Sequence, residues 1–299
     1  SKTYNFSSLS QRLDVELVDL SIIIINYNTK KLTKQAVEAI FSTKPRVQFE
    51  IIIVDNSDCS SEYYDVLDNR VVLLSHIENH GFAHGCNAGA KVAKGQYLLF
   101  LNSDTVMQRN TLDASVEYLE QHPEVGGLGV QVVLENGELD HACKRGFPTP
   151  WNALCYFMRL DKVFPKVPLF NGYRLNHLKR DQIHQVDAVT GAYLMMPTKL
   201  YRELRGFDEG FFMYGEDLDL CWRIKAAGYQ VVYYAPVQCL HLKGQSGRAS
   251  RSPFVQYHFY NAMLIFYDRY YQDKYPKWLT GLVKWAIRKK MPILDGGQG

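Results

Sequence analysis

The sequence predicts an α/β fold whose first half is an open, mostly parallel sheet, and three observations carry that prediction. β-Branched runs at residues 21–25 and 50–54 are too short for helices and read as fully buried strands. Between them, residues 33–42 place apolar side chains at Ala36, Val37, Ile40 and Phe41, which is helical spacing and makes a strand–helix–strand unit. Each strand also ends in polar residues, Asn26-Tyr27-Asn28 after the first and Asp55-Asn56-Ser57 after the second.

Residues 71–74 and 97–101 repeat the pattern of a buried strand followed by polar residues. Polar tips at the carboxyl ends of such strands line the cleft where open sheets bind ligands. From about Gly126 the pattern loosens into Gly, Pro and aromatic residues, with a loop-like stretch at 143–185, so the second half reads as mixed. Order returns at 186–197, followed by a helix at 198–204, a loop at 206–215, a helix at 216–227 and a strand at 230–235. From Phe254 the chain is dense in Tyr, Phe, Trp, Lys and Arg and reads as helical.

With 299 residues, 46% of them hydrophobic, the chain can bury a full core, which excludes disorder and fibrous repeats. The 34 basic and 31 acidic residues leave a formal charge of +3, too small to imply a nucleic-acid partner. Nothing else in the chain suggests base stacking or groove entry. Its six cysteines are scattered without a CxxC pair, so neither a zinc knuckle nor a disulfide framework is expected, and a reducing, cytosolic setting fits. No apolar run reaches the roughly 18 to 20 residues of a membrane-spanning helix, and residues 1–20 lack a signal peptide's apolar core. The expectation is a protein neither secreted nor transmembrane by itself.

Three constellations carry chemistry. Asp55 at a strand end can accept hydrogen bonds from a base or ribose, although Asp there is also a common turn former. The segment from Asn79 through Gly81, Phe82, Gly85 and Asn87 to Gly89 holds three glycines and two asparagines within eleven residues, allowing close backbone approach to a ligand. Its spacing is not that of a dinucleotide fingerprint, and a purely structural loop is the competing reading. Asn102-Ser103-Asp104 closes the next strand, where one carboxylate beside an amide or hydroxyl can hold a hard divalent cation that takes its other ligands from phosphates. Together they describe a nucleoside diphosphate site.

These motifs, with the later Gly215-Glu216-Asp217-Leu218-Asp219, resemble in order and spacing the inverting family 2 glycosyltransferases of the GT-A fold. Within that family the likeness is to the bacterial rhamnosyltransferase-like branch that builds cell-surface polysaccharides, and it covers roughly residues 20–266. The resemblance implies one catalytic unit: an N-terminal extension (1–20), a Rossmann-like nucleotide-sugar-binding half (21–125), a mixed acceptor-binding and catalytic half (126–250), and a C-terminal helical, basic-aromatic extension (251–299). It implies a divalent cation, Mg or Mn, on Asp104. Asn102 stands where the family's Asp-x-Asp element has its first acid.

The same resemblance puts Asp55 at the nucleobase and Asn26 and Tyr27 along the nucleotide pocket. Asn79, Gly81, Phe82, Gly85, Asn87, Asn102 and Ser103 then surround the nucleotide and donor sugar. Asp217 takes the role of catalytic base, with Glu216 as runner-up. His241 matches a late histidine that completes the metal shell or contacts the diphosphate. Gly191 and Ala192 leave room for the pyranose, and Arg248, with Lys243 and Ser246, lies in a stretch able to close over phosphates. Inverting transfer itself requires a base opposite the leaving group and a positive centre for the departing diphosphate, without a second catalytic acid. Asp219 and Arg223, one helical turn apart, read as a structural pair.

Residues 276–291 carry Lys277, Lys284, Arg288, Lys289 and Lys290 with no acid, opposite a broad face containing Trp278 and Trp285. That is the pattern of an interfacial membrane helix, with a helix packed on its own domain as the alternative. The expected activity is transfer of a sugar to a polyprenyl-diphosphate-linked saccharide by an enzyme peripheral on the cytoplasmic face of the cell membrane. By resemblance the donor is dTDP-L-rhamnose, with UDP-galactofuranose and UDP-hexoses as alternatives. A catalytically silent nucleotide-binding partner in a glycan assembly complex is the rival from another class, motivated by Asn102.

Overall fold

A computed structural model describes residues 17–57, 68–75, 77–242 and 252–294. The first half contains β1 (Leu20–Asn26), α1 (Lys30–Ser42), β2 (Phe49–Asp55), β3 (Val71–Leu74), α2 (Phe82–Val92) and β4 (Tyr97–Asn102). β1 lies between β2 and β4, parallel to both, with Ile22 opposite Ile51 on one side and Leu99 on the other. All seven residues of β2 are buried, as a strand covered on both faces requires. Ser21 is buried within β1 and is satisfied there: its hydroxyl donates to Glu50 Oε1 at 2.6 Å and accepts from the Gly95 amide at 2.8 Å.

The second half contains β5 (Thr105–Met107), α3 (Thr111–Gln121), β6 (Val125–Leu134), α4 (Pro150–Phe157), α5 (Leu160–Val163), β7 (His184–Val186), β8 (Tyr193–Pro197), α6 (Thr198–Glu203), α7 (Glu216–Ala226) and β9 (Gln230–His241). Among the described residues the strands form a single sheet in the order β3-β2-β1-β4-β8-β6-β9-β5, with β7 also paired to β9. β8 runs antiparallel to β4 and β6, so the sheet becomes mixed where the two halves join. β9 is parallel to β6 and antiparallel to β5, which sets His241 opposite Thr105 and one residue from Asp104.

Several expectations are corrected. The 71–74 run is an edge strand with Val72 and Leu73 exposed, because among the described residues it has β2 on one side only and nothing covers those side chains. The glycine-rich segment is mostly helix rather than loop. Its glycines bring α2 close to the sheet: a Cβ at Gly89 would stand 2.7 Å from Ile23 Cγ2. The 143–185 stretch holds α4, α5 and a 3₁₀ turn at Pro168–Phe170. Thr149 caps α4 by accepting from the Asn152 amide at 3.2 Å, and Pro150 occupies the first turn. The final strand continues past Ala235 to His241 across an irregularity in its pairing with β6.

Two helices end the described chain, α8 (Pro253–Tyr270) and α9 (Lys277–Lys290). α8 is tied to α7 through the fully buried Asp219, which accepts from Arg269 at 2.8 Å, Tyr270 at 2.6 Å and Arg223 Nε at 2.8 Å. The Asp219–Arg223 pair is thus structural and also clamps the next helix. Trp222 stacks on Tyr270 with ring centres 4.5 Å apart, and Phe266, Tyr267 and Tyr271 are buried in the same seam. No described helix is long and apolar enough to cross a membrane.

Candidate active site

At the strand tips, register places Asn26 opposite Asp55 and Ile25 opposite Asn102. The Asn26 amide donates to Asp55 Oδ1 and Ser57 Oγ, both at 2.9 Å, while its oxygen accepts from Thr33 at 2.8 Å and Thr29 at 3.2 Å. Both donors and both acceptor sites are filled, so Asn26 fastens the tips to each other and its side chain has no capacity left for a ligand. Ser103 Oγ lies 3.0 Å from Thr29 Oγ1 in the same belt. Tyr27 and Asn79 are exposed beside it.

Asn87 is saturated in the same way. It donates to Phe207 O and Glu209 Oε1 and accepts from the Phe207 amide and the Tyr201 hydroxyl. It anchors the loop before α7 rather than facing the cavity. Gly85 is buried against Ile25 and Asn56, and Gly81, at φ +99°, faces the Phe212 carbonyl 2.2 Å from where a Cβ would sit. These glycines serve packing.

A cavity of about 410 Å³ opens where the two halves meet, lined by Phe82, Asn102, Asp104, Gly191, Ala192, Glu216, Asp217 and His241 among others. The fold therefore gathers those sequence-predicted residues into one space. Asn26, Tyr27, Asp55, Asn79, Gly81, Gly85, Asn87 and Ser103 do not line it, and Arg248, with Lys243 and Ser246, lies outside the described residues. The far wall comes from α4 and α8, through Tyr156, Phe157, Phe259 and Met263.

On one side of the cavity stands a buried carboxylate–imidazole–carboxylate row. His241 Nε2 is 3.1 Å from Asp104 Oδ1, and its Nδ1 is 2.9 Å from Asp140 Oδ2. Burial alone would lower the His241 pKa, but the hydrogen bonds and charges of the two carboxylates outweigh it and raise it to about 9. The 3.1 Å separation suits two adjacent ligands of an octahedral ion, which at bonds of ~2.1 Å stand ~3 Å apart. Asp140 would then fix the imidazole as an outer partner. Among the described residues no cluster of three or more His, Cys, Asp or Glu side chains could hold an ion alone; a hard cation at this pair would take its other ligands from phosphate and water.

Across the cavity, α7 begins with Glu216 and Asp217. Asp217 Oδ2 accepts from Arg145 Nη2 at 2.6 Å and from the Gly191 amide at 3.1 Å, and its Oδ1 accepts from the Leu218 amide at 2.8 Å. Arg145 is itself held by the carbonyls of Ala142 and Val189, both at 3.0 Å. Glu216 has no such support: its Oε2 is buried without a hydrogen-bond partner among the described residues. Burial and the neighbouring Asp217 charge push the Glu216 carboxyl up to about 8. Asp217 is the ion-paired member of the two, and at neutral pH Glu216 is largely a neutral acid.

Sequence reasoning missed Arg145 and Asp140. Neither belongs to a local motif, and they reach Asp217 and His241 across 72 and 101 residues of chain. An unpaired-looking Arg in a stretch read as loop was the available signal for the first.

Known proteins are similar to this chain in sequence and in fold. The chain is 29% identical over 245 residues to the O-antigen biosynthesis protein RfbC of Myxococcus xanthus, covering 80% of this chain and 18% of that protein. It is 26% identical over 247 residues to rhamnosyltransferase WbbL of Escherichia coli K12, covering 79% and 88%. To the N-acetylglucosaminyl-diphospho-decaprenol L-rhamnosyltransferase of Mycobacterium tuberculosis it is 25% identical over 198 residues, covering 66% and 62%. The chain thus spans less than a fifth of one of these relatives and most of another. Among solved structures, GalNAc-T7 with UDP, GalNAc and Mn2+ shares the fold at a TM-score of 0.56 and 18% identity, covering 77% of this chain and 44% of that one. Residues 21–181 match the family described as glycosyl transferase family 2. With that match spanning more than half of the sequence, the chain belongs to glycosyl transferase family 2.

Proposed function

We propose that the protein is an inverting glycosyltransferase that moves a sugar from a nucleotide donor to a hydroxyl of a lipid-linked saccharide, with Asp217 as general base. The observation that carries this reading is the shared cavity, with the Arg145-paired Asp217 on one wall and the Asp104–His241 pair on the other. An acceptor hydroxyl between them gives its proton to Asp217 as its oxygen bonds to the anomeric carbon, and the bond from that carbon to the diphosphate oxygen breaks on the opposite face. A divalent cation, Mg or Mn, held by Asp104 and His241 would supply positive charge to the departing diphosphate. Arg145 pairs with Asp217 Oδ2 and fixes the orientation of its carboxyl group. Gly191, whose amide fixes Asp217 Oδ2, leaves the space beside it open.

Asp55, with Tyr27 and Asn79 nearby, forms the nucleobase side of the donor site. The names of WbbL and the mycobacterial relative support L-rhamnose as the donor sugar, carried as dTDP-L-rhamnose. The second name supports a polyprenyl-diphosphate-linked acceptor. The basic α9 supports a seat on the cytoplasmic face of the membrane. Asn102, in place of an acid, favours one rival, a catalytically silent nucleotide-binding partner.

Incubation of the purified protein with a panel of nucleotide sugars and Mg or Mn tests this. Donor turnover that disappears in Asp217→Asn while donor binding persists is the expected result. Binding without turnover in the wild type would sink the enzymatic reading and leave the silent partner.

A further inference from the structure

α4 is a helix with two apolar faces. Ala153, Tyr156 and Phe157 point into the cavity, while Trp151, Leu154 and Met158, at helical spacing on the other side, are exposed. The cavity wall is therefore one helix thick, and no described part of the chain covers its outer face. Residues 162–169 continue that surface and are exposed without interruption: Val163 is 65% and Leu169 61% accessible, with Phe164 and Val167 between them. The charges interleaved there, Arg159, Lys162 and Lys166, are all positive and exposed. The segment's single acid, Asp161, is buried and paired with Arg174 at 3.1 Å.

α9 repeats this chemistry alongside. Its inner side chains Val283 and Ile287 pack toward the core, and Lys284 is paired with Asp268 of α8. Trp278, Leu282 and Trp285 face outward at 71%, 53% and 59% exposure among Lys277, Arg288, Lys289 and Lys290. The two elements meet where the Lys290 ammonium lies 4.4 Å above the Phe157 ring.

We infer that residues 151–169 form a second membrane-docking element, which together with α9 presents the acceptor side of the cavity to an anionic lipid bilayer. Exposed apolar tips set among cations, with tryptophans at the border and no exposed acid, match an interface of anionic headgroups over acyl chains. A water-soluble acidic partner would match the lysines and leave Phe164, Leu169, Trp278 and Trp285 unburied. The inference deepens the lipid-linked acceptor reading and rests on it for its purpose: an acceptor anchored in the bilayer reaches Asp217 across a wall one helix thick.

The test is sedimentation of the full chain with vesicles of equal parts phosphatidylcholine and phosphatidylglycerol, in the absence of donor and acceptor. Wild type is expected to bind these and to bind pure phosphatidylcholine far less, since each basic residue at an anionic surface contributes about fivefold. Phe164→Ser with Leu169→Ser alters two exposed side chains and is expected to weaken binding about tenfold, as is Trp278→Ser with Trp285→Ser. In a Trp278→Phe, Trp285→Phe protein, Trp151 emission should shift to the blue on adding vesicles, because the remaining Trp222 is already packed between Phe147 and Tyr270. Unchanged vesicle binding in the Phe164, Leu169 variant overturns the inference. So does a wild-type dimer, seen by light scattering, that this variant dissociates without changing vesicle binding. Vesicle binding that persists in a protein unable to use lipid-linked acceptors supports the docking surface while sinking the acceptor reading.

Discussion

Glu216→Gln should make the protein's stability less sensitive to pH, by an amount that the site geometry sets. Glu216 is buried beside Asp217 with one oxygen unpartnered, and its carboxyl is pushed from an ordinary 4.5 up to about 8. Below pH 4.5 the folded and unfolded chains both carry the proton, and burial of the neutral acid adds no pH-dependent cost. Between 4.5 and 8 the unfolded chain releases a proton that the folded chain keeps, so wild-type stability falls as pH rises, by ~1.4 kcal/mol per unit. Over that interval of 3.5 units, from 8 minus 4.5, the ceiling is about 5 kcal/mol. Glutamine keeps the shape and does not titrate, and any cost of burying its amide is the same at every pH. Urea denaturation of both proteins at pH 5, 6, 7 and 8 should show the variant gaining on wild type at each step, by about 2 kcal/mol or more in total. A difference that stays constant across the series would refute the placement of Glu216 as a buried neutral acid.

Other substitutions probe the rest of the site. Arg145→Met leaves the Asp217 carboxylate buried without its counter-charge and should lower stability by about 3–5 kcal/mol at neutral pH, read by thermal or urea unfolding. Gly191→Ala should fold like wild type, since the new Cβ meets Phe82 at 3.6 Å and Asp217 Oδ2 at 3.9 Å in ordinary contact; because it occupies the space beside the proposed base, kcat/KM should fall with Tm unchanged. Asp140→Asn keeps the volume but weakens the hold on the His241 ring, and Mn2+ affinity by titration calorimetry should drop about 10- to 100-fold.

Much of this was legible in the sequence because it depends on short-range pattern. The runs forming β1 and β2 are short and β-branched and that forming β4 is short and almost wholly apolar, so all three read as buried strands. Asp104 stands out as a polar residue at a strand end, whereas Glu216, Asp217 and His241 are singled out by the resemblance of the ordered motifs; the cavity brings the four together. The misreadings have physical reasons. Val72 and Leu73 look like core residues, but burial depends on a covering layer that local pattern does not report. Asn87 sits in a glycine-rich segment suited to ligand contact, yet residues 201, 207 and 209 fill its hydrogen-bonding capacity, and that closure is tertiary. The Thr149-Pro150 cap signal was present in the sequence, within a stretch whose irregular pattern hid the short helix behind it.

The irregularity in β9 divides one strand into two tasks. Val130 pairs with Tyr234, but the next residue, Gln131, pairs with Gln238, so residues 235–237 are extra chain taken up in a single step and pinned where the Gln131 amide donates to the Ala235 carbonyl at 2.6 Å. Upstream, the strand builds core; downstream, it aims His241. The surplus takes up chain without disturbing the pairing on either side of it, so the downstream register that seats His241 opposite Leu134 and Thr105 is held separately from the upstream one. Residues 235–237, which do not line the cavity, therefore help to set where the His241 imidazole stands.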